Sequence, residues 1–125
     1  MSGKWNVLLV AGLFAGSNAG LAQAKAKAAG GPDCSKGWPT SMAFTYLKNA
    51  GLTDNDKIDF SKTKTVRLAS ERLKVGLWRQ VYDVRFTEKT GSVIEVIAIH
   101  NASSVECSMT DPEIYMVSRR LGAAQ

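Results

Sequence analysis

Cys34 and Cys107 are the only cysteines of the 125-residue chain, and they stand 73 positions apart. No other feature limits the fold as strongly. Two cysteines behind an export signal pair most simply with each other. A bond across that span closes most of the domain into one loop, which the chain-entropy argument values at roughly 4 kcal/mol. The pairing predicts that the N-terminal segment is pinned near the loop before the last apolar run. There is no Cys-X-X-Cys pair and no neighbouring histidine to activate a thiol. Two cysteines and one histidine are also too few for a closed zinc site. The pair therefore reads as a staple, with no metal and no cofactor expected.

The export signal is residues 1–24. Lys4 gives a positive start, Val7 to Ala15 an apolar stretch, and Ala22-Gln23-Ala24 a small-residue cleavage site. The apolar run is well short of the ~20 residues needed to span a bilayer, so no stable membrane anchor is expected after cleavage. Residues 25–33 read as a flexible leader, 34–121 as a single domain and 122–125 as a tail. A domain of this size has a modest core, which a covalent staple supports. Losing Lys4 lowers the formal charge from +5 to +4. That is weaker and more scattered than nucleic-acid binding calls for, so no specific nucleic acid is expected.

The segment Ser41 to Ala50 places Ala43, Tyr46, Leu47 and Ala50 at helical spacing, with Thr40 or Ser41 as cap and Gly51 as stop. Lys64 to Leu73 is ambiguous between helix and strand; the alternation of Val66 and Leu68 with Thr65, Arg67 and Ala69 favours strand. Leu77 to Thr87 is the clearest strand, with Trp78, Tyr82, Val84 and Phe86 on one face and Arg79, Asp83 and Arg85 on the other. Glu88 to Gly91 fits a tight hairpin turn. Val93 to His100 is nearly continuous apolar sequence, suited to a central strand. Asn101 to Thr110 reads as a loop, and Glu113 to Leu121 as a last strand with Tyr115, Val117 and Leu121 on one face. The expected fold is α+β: one N-terminal helix on a roughly four-stranded antiparallel sheet, with one disulfide. That order is similar to the cystatin-like architecture, a likeness of fold that carries no function.

Candidate functional residues are sparse. His100 is the only histidine and ends the central strand; a structural role outweighs a catalytic one, and although Asp83 or Glu95 could assist it in a small hydrolase, the sequence places neither beside it. Asp54, Asp56 and Asp59 imitate a calcium loop, but Ile58, Asp59 and Thr65 stand where its required ligands and glycine should be. Asn101-Ala102-Ser103 matches a glycosylation acceptor, a pattern that arises often by chance. Lys62, Lys64, Arg67, Arg72, Lys74, Arg79 and Arg85 form a basic tract. If Arg67, Arg79 and Arg85 share a solvent face, they suit a protein or anionic envelope partner; a solvated sheet face is the simpler alternative. Trp38, beside Cys34 and Pro39, is a candidate contact residue.

The runs Val66-Arg67-Leu68-Ala69-Ser70-Glu71, Arg79-Gln80-Val81, Asn101-Ala102-Ser103 and Glu106-Cys107-Ser108-Met109 resemble a set of small exported proteins of Gram-negative bacteria. The likeness covers most of residues 34–121. It implies export and a single domain, and it brings no activity or catalytic residue. The leading expectation is a periplasmic or secreted binding domain of the envelope. An inhibitor or immunity protein against an extracytoplasmic enzyme comes second, and a hydrolase using His100 third.

Overall fold

A computed structural model describes residues 30–118 and 121–122. Residues 1–24, expected to be an export signal, residues 25–29 of the expected leader, residues 119–120 and residues 123–125 lie outside the described residues. The order is helix α1 (Trp38–Asn49), a single 3-10 turn (Phe60–Lys62), and strands β1 (Lys64–Lys74), β2 (Leu77–Thr87), β3 (Val93–Ser103) and β4 (Glu113–Met116). The strands form one antiparallel meander in the order β1-β2-β3-β4. The α+β expectation, the antiparallel sheet and the Cys34–Cys107 bond are all present.

The helix begins earlier than its sequence pattern suggests. Pro39 sits in its first turn, where a missing N–H costs nothing. Thr40 does not cap it. The Thr40 hydroxyl donates to the Ser35 carbonyl at 2.7 Å and, having one proton, accepts from the Thr65 hydroxyl at 2.6 Å. The buried stripe is Pro39, Ala43 and Leu47, at i, i+4 and i+8. Tyr46 and Ala50 are exposed rather than buried. The line of closest approach to the sheet follows the i+4 row, leaving Tyr46 on the flank, where its hydroxyl stays wet. Gly51, at φ +75°, ends the helix.

The helix packs on β2 and β3. Strand β2 alternates as expected, with Trp78, Gln80, Tyr82, Val84 and Phe86 buried on the helix side. Val96, Ala98, His100 and Ala102 of β3 complete that face. Strand β3 runs to Ser103, three residues past the predicted end, because Asn101 to Ser103 pair with Leu77 to Arg79. The last strand is shorter than expected: β4 ends at Met116, and Ile114, not Tyr115, is its partly buried residue packed on the core. Tyr115 lies opposite Ile97 on the other face. In β1 the expected apolar residues face the wrong way for a core. Val66 and Leu68 are exposed, whereas Thr65, Arg67 and Ser70 pair with Val84, Tyr82 and Gln80 of the buried face.

Candidate functional site

The end of the sheet that carries the β1–β2 turn and the β3–β4 loop is built unlike the rest. Its helix side is floored by polar side chains, and the segment Gly30 to Cys34 lies across them. The Gln80 amide donates to the Pro32 carbonyl at 2.8 Å and to the Ser70 hydroxyl at 3.2 Å. Arg67 donates from one guanidinium nitrogen to the carbonyls of Gly30 (3.2 Å) and Pro32 (3.1 Å). The Ser70 hydroxyl donates to the Gly30 carbonyl as well. The Tyr82 hydroxyl donates to the Gln80 side-chain Oε1 at 2.7 Å and accepts the Cys34 backbone N–H at 2.9 Å. Burial pushes the Tyr82 phenol above its ordinary pKa, so it remains a neutral donor. A backbone segment laid over a sheet must have its carbonyls satisfied, and Gln80, Ser70 and Arg67 supply the donors.

Gly31 closes the arrangement against Trp78. Its φ is +80°, and a β-carbon there would stand 2.8 Å from the indole ring. Only glycine allows both the conformation and the approach.

The same end is fastened to the β3–β4 loop. The Cys34–Cys107 bond joins the segment before α1 to that loop. The Trp38 indole N–H donates to the Thr110 carbonyl at 3.2 Å. Within the loop, the Ser103 N–H donates to the Glu106 carbonyl at 2.8 Å, and the Ser103 hydroxyl accepts the Glu106 N–H at 2.9 Å. The Thr110 hydroxyl accepts the Asn101 N–H at 2.9 Å. Beyond these braces, two side chains project. Val105 of the loop is 92% exposed and Val75 of the β1–β2 turn is 85% exposed. The pairing of Leu77 with Ser103 places the two turns side by side.

The residues singled out in the sequence do not form one site. Trp38 and Arg67 both help hold the loop end, from the helix and from the helix side of β1. Arg79 and Arg85 lie on the opposite sheet face, so the three arginines do not share a solvent face. Arg85 donates to Glu95 at 2.6 Å and lies 3.3 Å from Asp83; Arg79 is 3.9 Å from Glu113.

His100 is 2% exposed and stacks on Tyr82, ring centroids 5.6 Å apart. Its Nδ1 lies 3.1 Å from the Asn101 carbonyl, which can only accept, so Nδ1 carries the proton. Burial lowers the His100 pKa, and the backbone carbonyls of Asn101 and Cys107 offset this only in part. Asp83 and Glu95 sit on the other face of the sheet. The register separates His100 from both acids by the thickness of the sheet. Among the described residues, no group of three or more His, Cys, Asp or Glu is placed to hold a metal. Asp59 instead accepts from the N–H and hydroxyl of Ser61 and caps the 3-10 turn.

The sequence pattern does not mark Gln80, Ser70 or the Gly30 and Pro32 carbonyls as one cluster. One signal was present: Gln80 occupies an inward position in an otherwise apolar alternation, and a buried amide requires partners. No helix among the described residues is long and apolar enough to cross a membrane. Comparison with protein families, curated proteins and solved structures finds no match.

Proposed function

We propose that the chain is an exported binding domain of the bacterial envelope that engages a protein partner through its braced loop end. The observation that carries this reading is the contrast at that end. The backbone of the loop is held by a disulfide and several hydrogen bonds, while Val75 and Val105 are left almost wholly in water. Apolar side chains on a rigid support bind with little loss of conformational freedom. The disulfide fits an oxidising compartment such as the periplasm or the exterior, and the sequence of residues 1–24 supports export.

A photo-reactive residue in place of Val105, in cells exporting the protein, is expected to give one discrete protein adduct. Val75→Asp should weaken that adduct about tenfold, the value of roughly one aliphatic contact removed from water. Equal adducts from a probe at Lys57, on the connector near the opposite end of the sheet, would sink the proposal.

The second reading is an inhibitor or immunity protein acting on an extracytoplasmic muramidase or protease. Two adjacent turns projecting aliphatic tips form a convex ridge, and enzyme clefts are concave. Purified domain should inhibit such an enzyme stoichiometrically, and the Val75→Asp, Val105→Asp double variant should not. Absence of inhibition across a panel of both enzyme classes removes this reading and leaves the binding one standing.

A further inference from the structure

The sheet face turned away from α1 has no covering element among the described residues. The register places two mostly apolar rows across its middle, Val66–Asp83–Ile97–Tyr115 and Ala69–Val81–Ile99–Glu113. Charged residues flank them in the rows Lys64–Arg85–Glu95 and Glu71–Arg79–Asn101. Val66 and Tyr115, at the two margins, are 54% and 55% exposed. Antiparallel sheets often leave one face to water, but such a face then alternates to polar residues. Here valine and isoleucine hold its centre.

The charges are divided across the face. The four outward cations, Lys64, Lys74, Arg79 and Arg85, lie on β1 and β2, where they outnumber the two acids Glu71 and Asp83. The β3–β4 half carries Glu95 and Glu113 and no cation among its described outward residues. The face as a whole is nearly balanced, which does not suit an anionic polymer. It does suit its own copy. A two-fold axis lying between two such sheets and parallel to the strands sets each β1–β2 half over the other's β3–β4 half. Arg85 then faces the Glu95 region of the partner, Arg79 lies one row from the Glu113 region, and the row holding Val81 and Ile99 meets its own copy at the centre.

The size is adequate. Three 11-residue strands, at a rise of ~3.3 Å and a spacing of ~4.8 Å, make a slab of roughly 500 Å². Two copies would cover roughly 1,000 Å² together, the lower bound of a stable interface. Aligned packing of two sheets about 10 Å apart is an ordinary way to bury such faces.

We propose that two copies of this chain pack face to face through the outer surface of the sheet, forming a dimer with apolar Val81, Ile97 and Ile99 at its centre and Arg–Glu contacts at its rim. The contact uses a different surface from the loop end and does not depend on the binding function above.

Sedimentation equilibrium on the full exported protein tests this. At tens of micromolar, the wild type should show the mass of two chains, and added salt should weaken the association several-fold through the rim. Ile97→Lys should show the mass of one chain with unchanged circular dichroism and an intact disulfide. Tyr115→Lys, at an exposed position, serves as the second variant should Ile97→Lys fail to fold, and it should also weaken the dimer. A one-chain mass for the wild type up to millimolar concentration overturns the proposal. So does a dimer that survives folded variants at these positions, or one abolished by Leu68→Lys alone, which would place the contact on the β1 edge.

Discussion

The two ends of the helix-side core are held by different physics. At the β2–β3 turn end, Leu47, Ile58, Val84, Phe86 and Val96 are buried together. Phe44 meets Phe60 edge-on, centroids 5.1 Å apart, and lies 6.0 Å from Phe86. That end closes by shape. At the loop end, Gln80, Tyr82 and His100 occupy the equivalent inward positions, and Cys34 lies over them. That end closes by directed bonds and one covalent link. Apolar packing is tolerant of small shifts, whereas a hydrogen-bonded network fixes positions and is costly when one member is lost. The end proposed to bind a partner is the one whose geometry is fixed bond by bond.

Two substitutions of similar size should separate these regimes. Phe86→Ala leaves a cavity among aromatic neighbours and should cost about 3–5 kcal/mol. Replacing both Cys34 and Cys107 by Ala should cost about 4 kcal/mol from the 73-residue separation. Chemical denaturation will show comparable losses, but hydrogen exchange will distinguish them. The cysteine variant should speed exchange first at Glu106, Met109 and Asn101, with amides of Val84 and Val96 keeping their order. Phe86→Ala should raise exchange across β2 and β3 together. Identical exchange patterns would dissolve the distinction between the two ends.

The shape-held end was legible in sequence, and the bonded end only in outline. Val84 and Phe86 alternate with Asp83, Arg85 and Thr87, so period and burial agree in that half of β2. Cysteine count and spacing sufficed for the disulfide. Strand β1 misleads because its helix-side neighbour is a stretch of backbone carbonyls. Those call for donors, so Arg67 and Ser70 turn inward and Val66 outward. Nothing in the pattern of β1 reveals what lies over it. The same gap explains why Arg67 was grouped with Arg79 and Arg85. A bulge between Arg67 and Ala69 changes the register partway along the strand, which simple alternation cannot anticipate. The end of β4 was overextended because Tyr115, Val117 and Leu121 look like an inward row. Tyr115 and Leu121 are in fact exposed, and Ile114 alone of β4 packs on the core.

A smaller effect sharpens the role of the segment Gly30–Cys34. Gly31→Ala places a methyl 2.8 Å from the Trp78 ring at a φ of +80° and should cost about 2 kcal/mol. Gly51→Ala shares the strained φ, at +75°, but has nothing within 4 Å, and should cost about 1 kcal/mol. Trp78 fluorescence should shift to the red in the Gly31 variant and stay unchanged in the Gly51 variant. Equal stability losses with unmoved fluorescence would mean that the segment does not pack on the indole.

The mildest test uses acid. His100 is the one buried group at either end that titrates near neutrality, and it belongs to the bonded end. Burial lowers its folded pKa below the ordinary value of 6.5. Well above pH 6.5 both folded and unfolded chains hold it neutral, and it adds no pH dependence. As pH falls below 6.5 the unfolded chain takes up the proton first, so stability drops, by at most ~1.4 kcal/mol per pH unit. The slope ends once the folded pKa is passed. Asp33 and Asp59, whose carboxylates accept hydrogen bonds and are held below the usual range, add their own loss only at lower pH. His100→Phe keeps a ring against Tyr82 and removes the proton site. Denaturation midpoints between about pH 6.5 and 5 should slope in the wild type and flatten in the variant, while Phe86→Ala leaves the slope intact. An unchanged slope in His100→Phe would show that acid acts elsewhere. A flattened one would show the loop end yielding to protons before the phenylalanine cluster does, since a charge under Tyr82 disturbs a bonded network and leaves packed aromatics untouched.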